Sequence, residues 1–372
     1  MPFDAPPISA ARPPAADQAA RDRHALAAWL LAVAGLIWAM VALGGLTRLT
    51  GSGLSIMEWA PLAGTLPPLS EAEWRRLYDL YRTTAQYQLV NAGFGLEGFQ
   101  RIFWLEWLHR FWGRMIGLAY LLPLLWFWAR GRIAPGLKPR LLLLLLLGGL
   151  QGAVGWFMVA SGFEADRIAV SPWRLVIHLG LALGLFAAVL WTALSLLRPA
   201  PAASHPALRG VRRQAVAAAW LLAAAMLAGG FVAGNRAGLD YNTWPLMAGR
   251  LVPEAYWPHA AVLANLTADI ATVQFHHRLL ATLAGLAAFG AAFAAWRRLP
   301  PGPARRACLV LGATVGLQYA LGVATLVLVV PISLGTLHQA CAVLVLAAAL
   351  VALHRLRETP RTAPTVALPG SR

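Results

Sequence analysis

"GGLTRLTGSGLSIMEWAPLAG", residues 44–64, recurs as "GGFVAGNRAGLDYNTWPLMAG", residues 229–249, and this recurrence decides the fold. At a constant offset of 185, Gly53 pairs with Gly238, Leu54 with Leu239, Trp59 with Trp244 and Gly64 with Gly249. The pairing continues downstream. "LHR" at Leu108 matches "HHR" at His276, "GLQ" at Gly149 matches "GLQ" at Gly316, and "VIH" ending at His178 matches "TLH" ending at His338. Each copy contains four apolar runs. An even number gives both copies the same orientation, related by an axis along the membrane normal.

The runs themselves are long. A helix needs about 20 apolar residues to cross the hydrocarbon layer. The chain offers eight such segments, near 25–46, 108–129, 140–160, 173–197, 214–233, 273–296, 306–330 and 333–354. With 59% hydrophobic and only 12% charged residues, the 372-residue chain lies outside the range of soluble domains. The sequence therefore predicts an all-α membrane protein: eight transmembrane helices in two repeated four-helix bundles, residues 25–197 and 214–355. A disordered tail over 1–24, a Pro-rich linker over 198–213 and a second tail over 356–372 complete the expected organisation.

The formal charge of +16 would suit a nucleic-acid partner if it were clustered on one surface. Its distribution argues otherwise. Residues 1–24, 130–140, 198–213, 297–306 and 355–372 hold 19 of the 31 Lys and Arg but 4 of the 15 acids. That is the positive-inside pattern, which places both termini in the cytoplasm and leaves no nucleic-acid patch. The first run exceeds 20 residues and lacks a small-x-small cleavage site, so it reads as a retained span and not a signal peptide. Cys308 and Cys341 fall at opposite ends of their spans, as small apolar fillers and not as a disulfide. In the first long loop, "LSEAEWRRLYDLY" from Leu69 has Ser70 and Glu73 at capping-box spacing and aligns Trp74, Leu77, Tyr78 and Tyr81 on one helical face, for the outer leaflet or as a cover over the bundle.

Four histidines recur with the repeat. His109 and His178 lie 69 residues apart, His277 and His338 61 apart, each pair two spans apart near the outer end of even-numbered spans. Neutral imidazole ligates iron, and two facing imidazoles suit a low-spin haem. Zinc would need about four clustered N or S ligands, which neither half supplies. His24, His205, His259 and His354 receive no role, and His276 beside His277 leaves a one-residue ambiguity. Arg110 and Arg278 follow the paired histidines and are candidate propionate partners, with snorkelling as the alternative. Trp104, Trp107 and Trp112 read as aromatic belt.

The halves differ at one telling position. Glu106 stands three residues before His109, and Gln274 three before His277, each on its histidine's helical face. A carboxylate there can relay protons, act as a base or stabilise a developing cation. It can also simply bond to nearby backbone or to Arg110.

Together "GGLTRLTGSGLSIMEW", "EWLHRFWGR", "GNRAGLDYNTWPLM" and "HHRLLA" resemble haem A synthase in its alphaproteobacterial and mitochondrial form, over residues 27–355. The resemblance implies a multi-pass enzyme of the cell inner membrane. It would convert haem O to haem A by oxidising the C8 methyl through haem I to the formyl, for cytochrome oxidase. It implies haem b held by His277 and His338, substrate haem held by His109 and His178, and Glu106 as the essential carboxylate. The implied partners are a haem O synthase as substrate donor and an unidentified membrane electron donor; a homo-oligomer stays open. Some bacterial members carry a cysteine pair in the first outer loop, and residues 47–103 contain none. A dihaem cytochrome b-like quinol oxidoreductase and a haem carrier are the competing readings.

Overall fold

The computed structural model describes residues 14–61, 63–165, 167–198, 200 and 206–358. Eight helices are long and apolar enough to cross a membrane: α1 (Pro14–Leu49), α4 (Leu96–Ala129), α5 (Lys138–Ala160), α6 (Pro172–Leu197), α7 (Pro206–Gly234), α9 (Ile270–Arg298), α10 (Pro303–Val327) and α11 (Ile332–Arg355). Three short helices decorate the long loops: α2 (Glu71–Arg82), α3 (Ala85–Leu89) and α8 (Val262–Thr267). The starts follow local chemistry. Proline opens α6 and α10, where its missing N–H costs nothing, and the Asp269 carboxylate caps α9 by accepting from Thr272 N–H at 2.7 Å.

Two apolar cores lie inside. The first joins α1, α4, α5 and α6 through Leu30, Leu124, Phe127, Leu141, Phe186 and Val189. The second joins α7, α9, α10 and α11, and alanine dominates it: Ala284, Ala288, Ala291 and Ala295 are all buried. Small residues let helix backbones approach closely, so this core gains from dispersion contacts where lipid removes the usual hydrophobic drive. Contacts of α1 with α11, of α6 with α7 and of α6 with α11 connect the cores.

The helices extend beyond the apolar runs. Residues 14–24, expected as tail, form the first turns of α1. This segment is alanine-rich, Gln18 bonds Asp22 and Arg21 along the helix, and Asp22 pairs with Arg132 at the start of α5's loop. The expected linker likewise narrows, because α7 begins at Pro206. The other expected tail residues, 1–13 and 359–372, and linker residues 199 and 201–205 lie outside the described residues, as does His205.

Helix α4 starts twelve residues before its apolar run, at Leu96. Its extra turns are held by α2. Ser70 caps α2 by accepting from Glu73 N–H, and the predicted face of Trp74, Leu77, Tyr78 and Tyr81 packs on Phe99, Ile102 and Phe103 of α4. That face is a protein contact, so α2 acts as a cover over the α4 end. Only half of the capping box forms, because the Glu73 carboxylate accepts from Arg76 instead.

Candidate functional site

The four histidines occupy matched positions. His178 and His338 each lie six residues beyond the first residue of α6 and α11. His109 rests on α1 and His178 on α5, while His277 rests on α7 and His338 on α10, so each half holds one pair. Every ring lies against a glycine of a neighbouring helix. A methyl group on Gly155, Gly229 or Gly322 would sit 2.9 Å from Cε1 of His178, His277 or His338, and one on Gly44 would sit 3.1 Å from Nε2 of His109. Glycine is required at these four places to seat the imidazoles.

Hydrogen bonds orient three of the rings. His277 Nδ1–H donates to the Ala225 carbonyl at 2.9 Å; a carbonyl only accepts, so this fixes the tautomer and leaves Nε2 bare for a metal. The Gln151 amide nitrogen donates to the His178 carbonyl and lies 3.1 and 3.3 Å from the ring nitrogens. Gln318 repeats this arrangement on His338 at 3.2 and 3.4 Å. His276 turns away, with its Nε2 3.1 Å from the Tyr256 hydroxyl, so the ambiguity with His277 resolves in favour of His277.

The arginines hold the loops. Arg110 donates to the carbonyls of Ile56 and Glu58, and Arg278 to those of Tyr241 and Thr243. These acceptors are related by the same offset of 185, so both halves use one clamp. Most Arg110 donors are thereby committed, since Nε and Nη2 also bond Glu106 at 3.1 and 2.6 Å.

The Glu106 and Gln274 side chains turn to the same loops, with opposite polarity. Glu106 Oε2 accepts from Ser55 N–H, Ser55 O–H and Ile56 N–H at 2.7, 2.7 and 3.0 Å. Gln274 Nε2 instead donates to the Ala237 and Asp240 carbonyls, both at 2.6 Å, while its Oε1 accepts from Arg278. One peptide unit accounts for much of the difference. The Ser55–Ile56 peptide presents its N–H to Glu106, whereas the related Asp240–Tyr241 peptide presents its C=O to Gln274, and Tyr241 takes a left-handed φ of 47° to do so. Both alternatives weighed for Glu106, backbone and Arg110, are therefore realised together, and five donors converge on its oxygens.

These residues fit a haem in each half. The two imidazoles of each half could supply nitrogen ligands to its iron. Gln151 Oε1, Gln318 Oε1, Arg114 Nη1 and Arg278 Nε are buried without a hydrogen-bond partner, an arrangement that costs about 1–3 kcal/mol each unless a ligand satisfies it. Two of these four are guanidinium N–H groups, one per half, the donors an anionic propionate needs. Arg278 therefore keeps its candidate role, while in the first half Arg114, bonded to the Ala60 and Pro61 carbonyls, offers the unpaired donor that Arg110 does not. Among the described residues no cluster of three or more His, Cys, Asp or Glu could hold a metal ion, which leaves the imidazole pairs. Gln151, Gln318 and Arg114 escaped the sequence reading as site residues. The repeated "GLQ" was the signal for the two glutamines.

Comparison with known proteins agrees with this geometry. The chain is 58% identical over 344 residues to a protein named Heme A synthase from Granulibacter bethesdensis, covering 92% of this chain and 90% of that one. Heme A synthases from Rhodospirillum centenum and Bradyrhizobium sp. are 48% and 49% identical, covering 91% and 94% of this chain and 91% and 95% of theirs. The profile of COX15-CtaA, described as cytochrome oxidase assembly protein, matches residues 27–350, a range that contains both clamps and all four ring-seating glycines. With eight spans, two histidine pairs and that match over nearly its whole length, the chain belongs to the COX15-CtaA family of cytochrome oxidase assembly proteins.

Proposed function

We propose that this protein is an inner-membrane haem A synthase, an oxidoreductase that oxidises the C8 methyl of haem O twice, through haem I, with loss of water from the resulting diol to give the formyl of haem A. The observation that carries the reading is the duplicated imidazole pair with a carboxyl group beside only one copy. His109 and His178 would hold the substrate, and His277 and His338 a resident haem b. When bound, haem b supplies single-electron transfer from a membrane donor. Cytoplasmic termini put the histidine ends of the spans on the outer side, and a haem O synthase would deliver the substrate.

The chain's own residues prepare the first half. Arg110 and Glu106 pin residues 52–58 over the site, and the pair is largely buried, Glu106 being 3% exposed. All of its lone pairs face donors, so Glu106 is placed to stabilise positive charge developing on the substrate and is poorly placed to take a proton.

The test is the identity of the haems extracted from purified variants. Glu106→Gln is expected to accumulate haem O or I at the expense of haem A, and undiminished haem A would sink the assignment. Because the glutamine NH2 must face either the Ser55 and Ile56 donors or Arg110, Ser55→Ala is the companion variant. It weakens the loop contact but keeps the charge, so haem A formation should largely persist. His277→Ala should remove the low-spin haem b spectrum from a protein that still inserts.

A further inference from the structure

The four imidazoles are not held alike. His277 is anchored to a helix carbonyl, and His178 and His338 are each gripped by a glutamine amide. His109 makes no hydrogen bond among the described residues. The repeat provides it with a potential acceptor: the carbonyl equivalent to that of Ala225 belongs to Met40, 185 residues earlier. The ring does not use it, because it is turned. A methyl group on Gly229 would meet Cε1 and Nδ1 of His277 at 2.9 and 3.2 Å, but one on Gly44 would meet Nε2 of His109 first, at 3.1 Å, with Cδ2 at 3.7 Å. The methyl on Gly229 would also lie 3.5 Å from Nε2 of His277, so the nitrogen left for a metal sits nearer the neighbouring helix in His109 than in His277.

A ligand histidine is normally oriented by a partner on its other nitrogen, and losing that partner typically lowers metal affinity about 10- to 100-fold. We infer that His109 is the labile axial ligand of the N-terminal bundle, a ring that swings off Gly44 to bind a haem and back to release it while His178 stays fixed. This rests on reading the histidine pairs as haem ligands. It accounts for an asymmetry that catalysis of a haem-to-haem conversion requires: the site that takes substrate must also let product go, and the resident site must not. Glu106 and His109 then divide the work on α4, the first fixed by five hydrogen bonds and the second by none.

The probe is carbon monoxide, which binds a ferrous haem only where an axial ligand can leave. The full-length protein is purified in detergent, loaded with iron protoporphyrin IX, reduced and exposed to carbon monoxide, and the haems are assigned with His178→Ala and His338→Ala. The expected result is a carbon monoxide spectrum from the N-terminal haem alone, together with transfer of that haem to apomyoglobin about 10-fold or more faster than the C-terminal one. Equal resistance of both haems, or faster loss from the C-terminal bundle, overturns the inference. Gly229→Ala, whose added methyl pushes His277 off the Ala225 carbonyl, is expected to confer carbon monoxide binding on the C-terminal haem. An unchanged spectrum in that variant would remove the hydrogen bond as the cause. If instead His109→Ala and His277→Ala each leave the bound haem content unchanged, it is the ligand assignment itself that fails.

Discussion

Glu106 and Gln274 differ by an oxygen in place of an NH2 group, and each faces a loop whose peptide has the matching polarity. The match makes the two residues non-interchangeable for structural as well as chemical reasons. Gln274→Glu would set a carboxylate against the Ala237 and Asp240 carbonyls in a site where the side chain is 2% exposed. Two buried carbonyls would lose their donors, at about 1–3 kcal/mol each, so a loss of stability of roughly 3 kcal/mol is expected in a denaturation series in detergent. A stability within 0.5 kcal/mol of the parent, roughly the scatter of a neutral surface change, would mean the loop can flip its peptide freely. The sequence made the Glu–Gln difference visible and aimed both side chains at a haem. It could not show where they point, because the deciding partners are main-chain groups of residues 52–58 and 237–243, and backbone orientation leaves no mark in residue identity unless glycine or proline is present. Gly51 with φ 68° and its counterpart Arg236 with φ 55° share a left-handed turn, which only one of the two residue types would have announced.

At the scale of elements, α2 shows what covers the first site. Arg76 ties α2 to the site loop by donating to both Glu58 oxygens at 2.8 and 2.9 Å while also bonding Glu73. The Arg76 guanidinium holds both carboxyls below their usual range. A carboxylate with a depressed folded pKa contributes stability that is present above its unfolded value and is lost as pH falls through the folded one. The groups are 41–47% exposed, so the energy is small and the effect local. Hydrogen exchange in residues 71–82 should therefore stay constant from pH 7 to 5, after correction for intrinsic rate, and rise below about pH 4. Arg76→Ala should show the faster exchange already at pH 7, and equal protection in that variant would show that the aromatic face alone holds α2. The length of α4 was hidden for a related reason: "EGFQRIFWLEW" carries charges that end the apolar run, and its helicity depends on α2 packing against Phe99 and Phe103.

For the whole molecule, the repeat was legible in sequence because it preserves spacing, but the seams between the halves were not: α1 and α11 stand at opposite ends of the chain, and residue identity does not tell which faces of the consecutive α6 and α7 meet. They also differ in kind. On α1 and α11, Trp38 donates to the Ala340 carbonyl and Gln339 to the Val41 carbonyl, at 3.0 and 2.8 Å. The α6–α7 seam relies on close approach at glycines: a methyl group on Gly234 would lie 2.8 Å from the backbone Cα of Pro172, and one on Gly230 2.9 Å from the Val176 side chain, beside the edge-on ring pair of Trp173 and Phe231. Backbone cannot move aside as a side chain can, so Gly234→Ala must push the start of α6 away from α7, with an overpacking cost of about 1–3 kcal/mol. Gly184, in open space on the same α6, is the control; alanine there meets nothing within 4 Å and should gain up to about 1 kcal/mol from helix propensity. The displaced residue, Pro172, lies six positions before His178 on one rigid helix. Gly234→Ala should consequently lower haem occupancy of the N-terminal bundle more than that of the C-terminal one, although it lies on a helix of the second core. Equal loss from both bundles would show that the seam supports overall stability only; selective loss would show that the second half helps set the position of a ligand in the first.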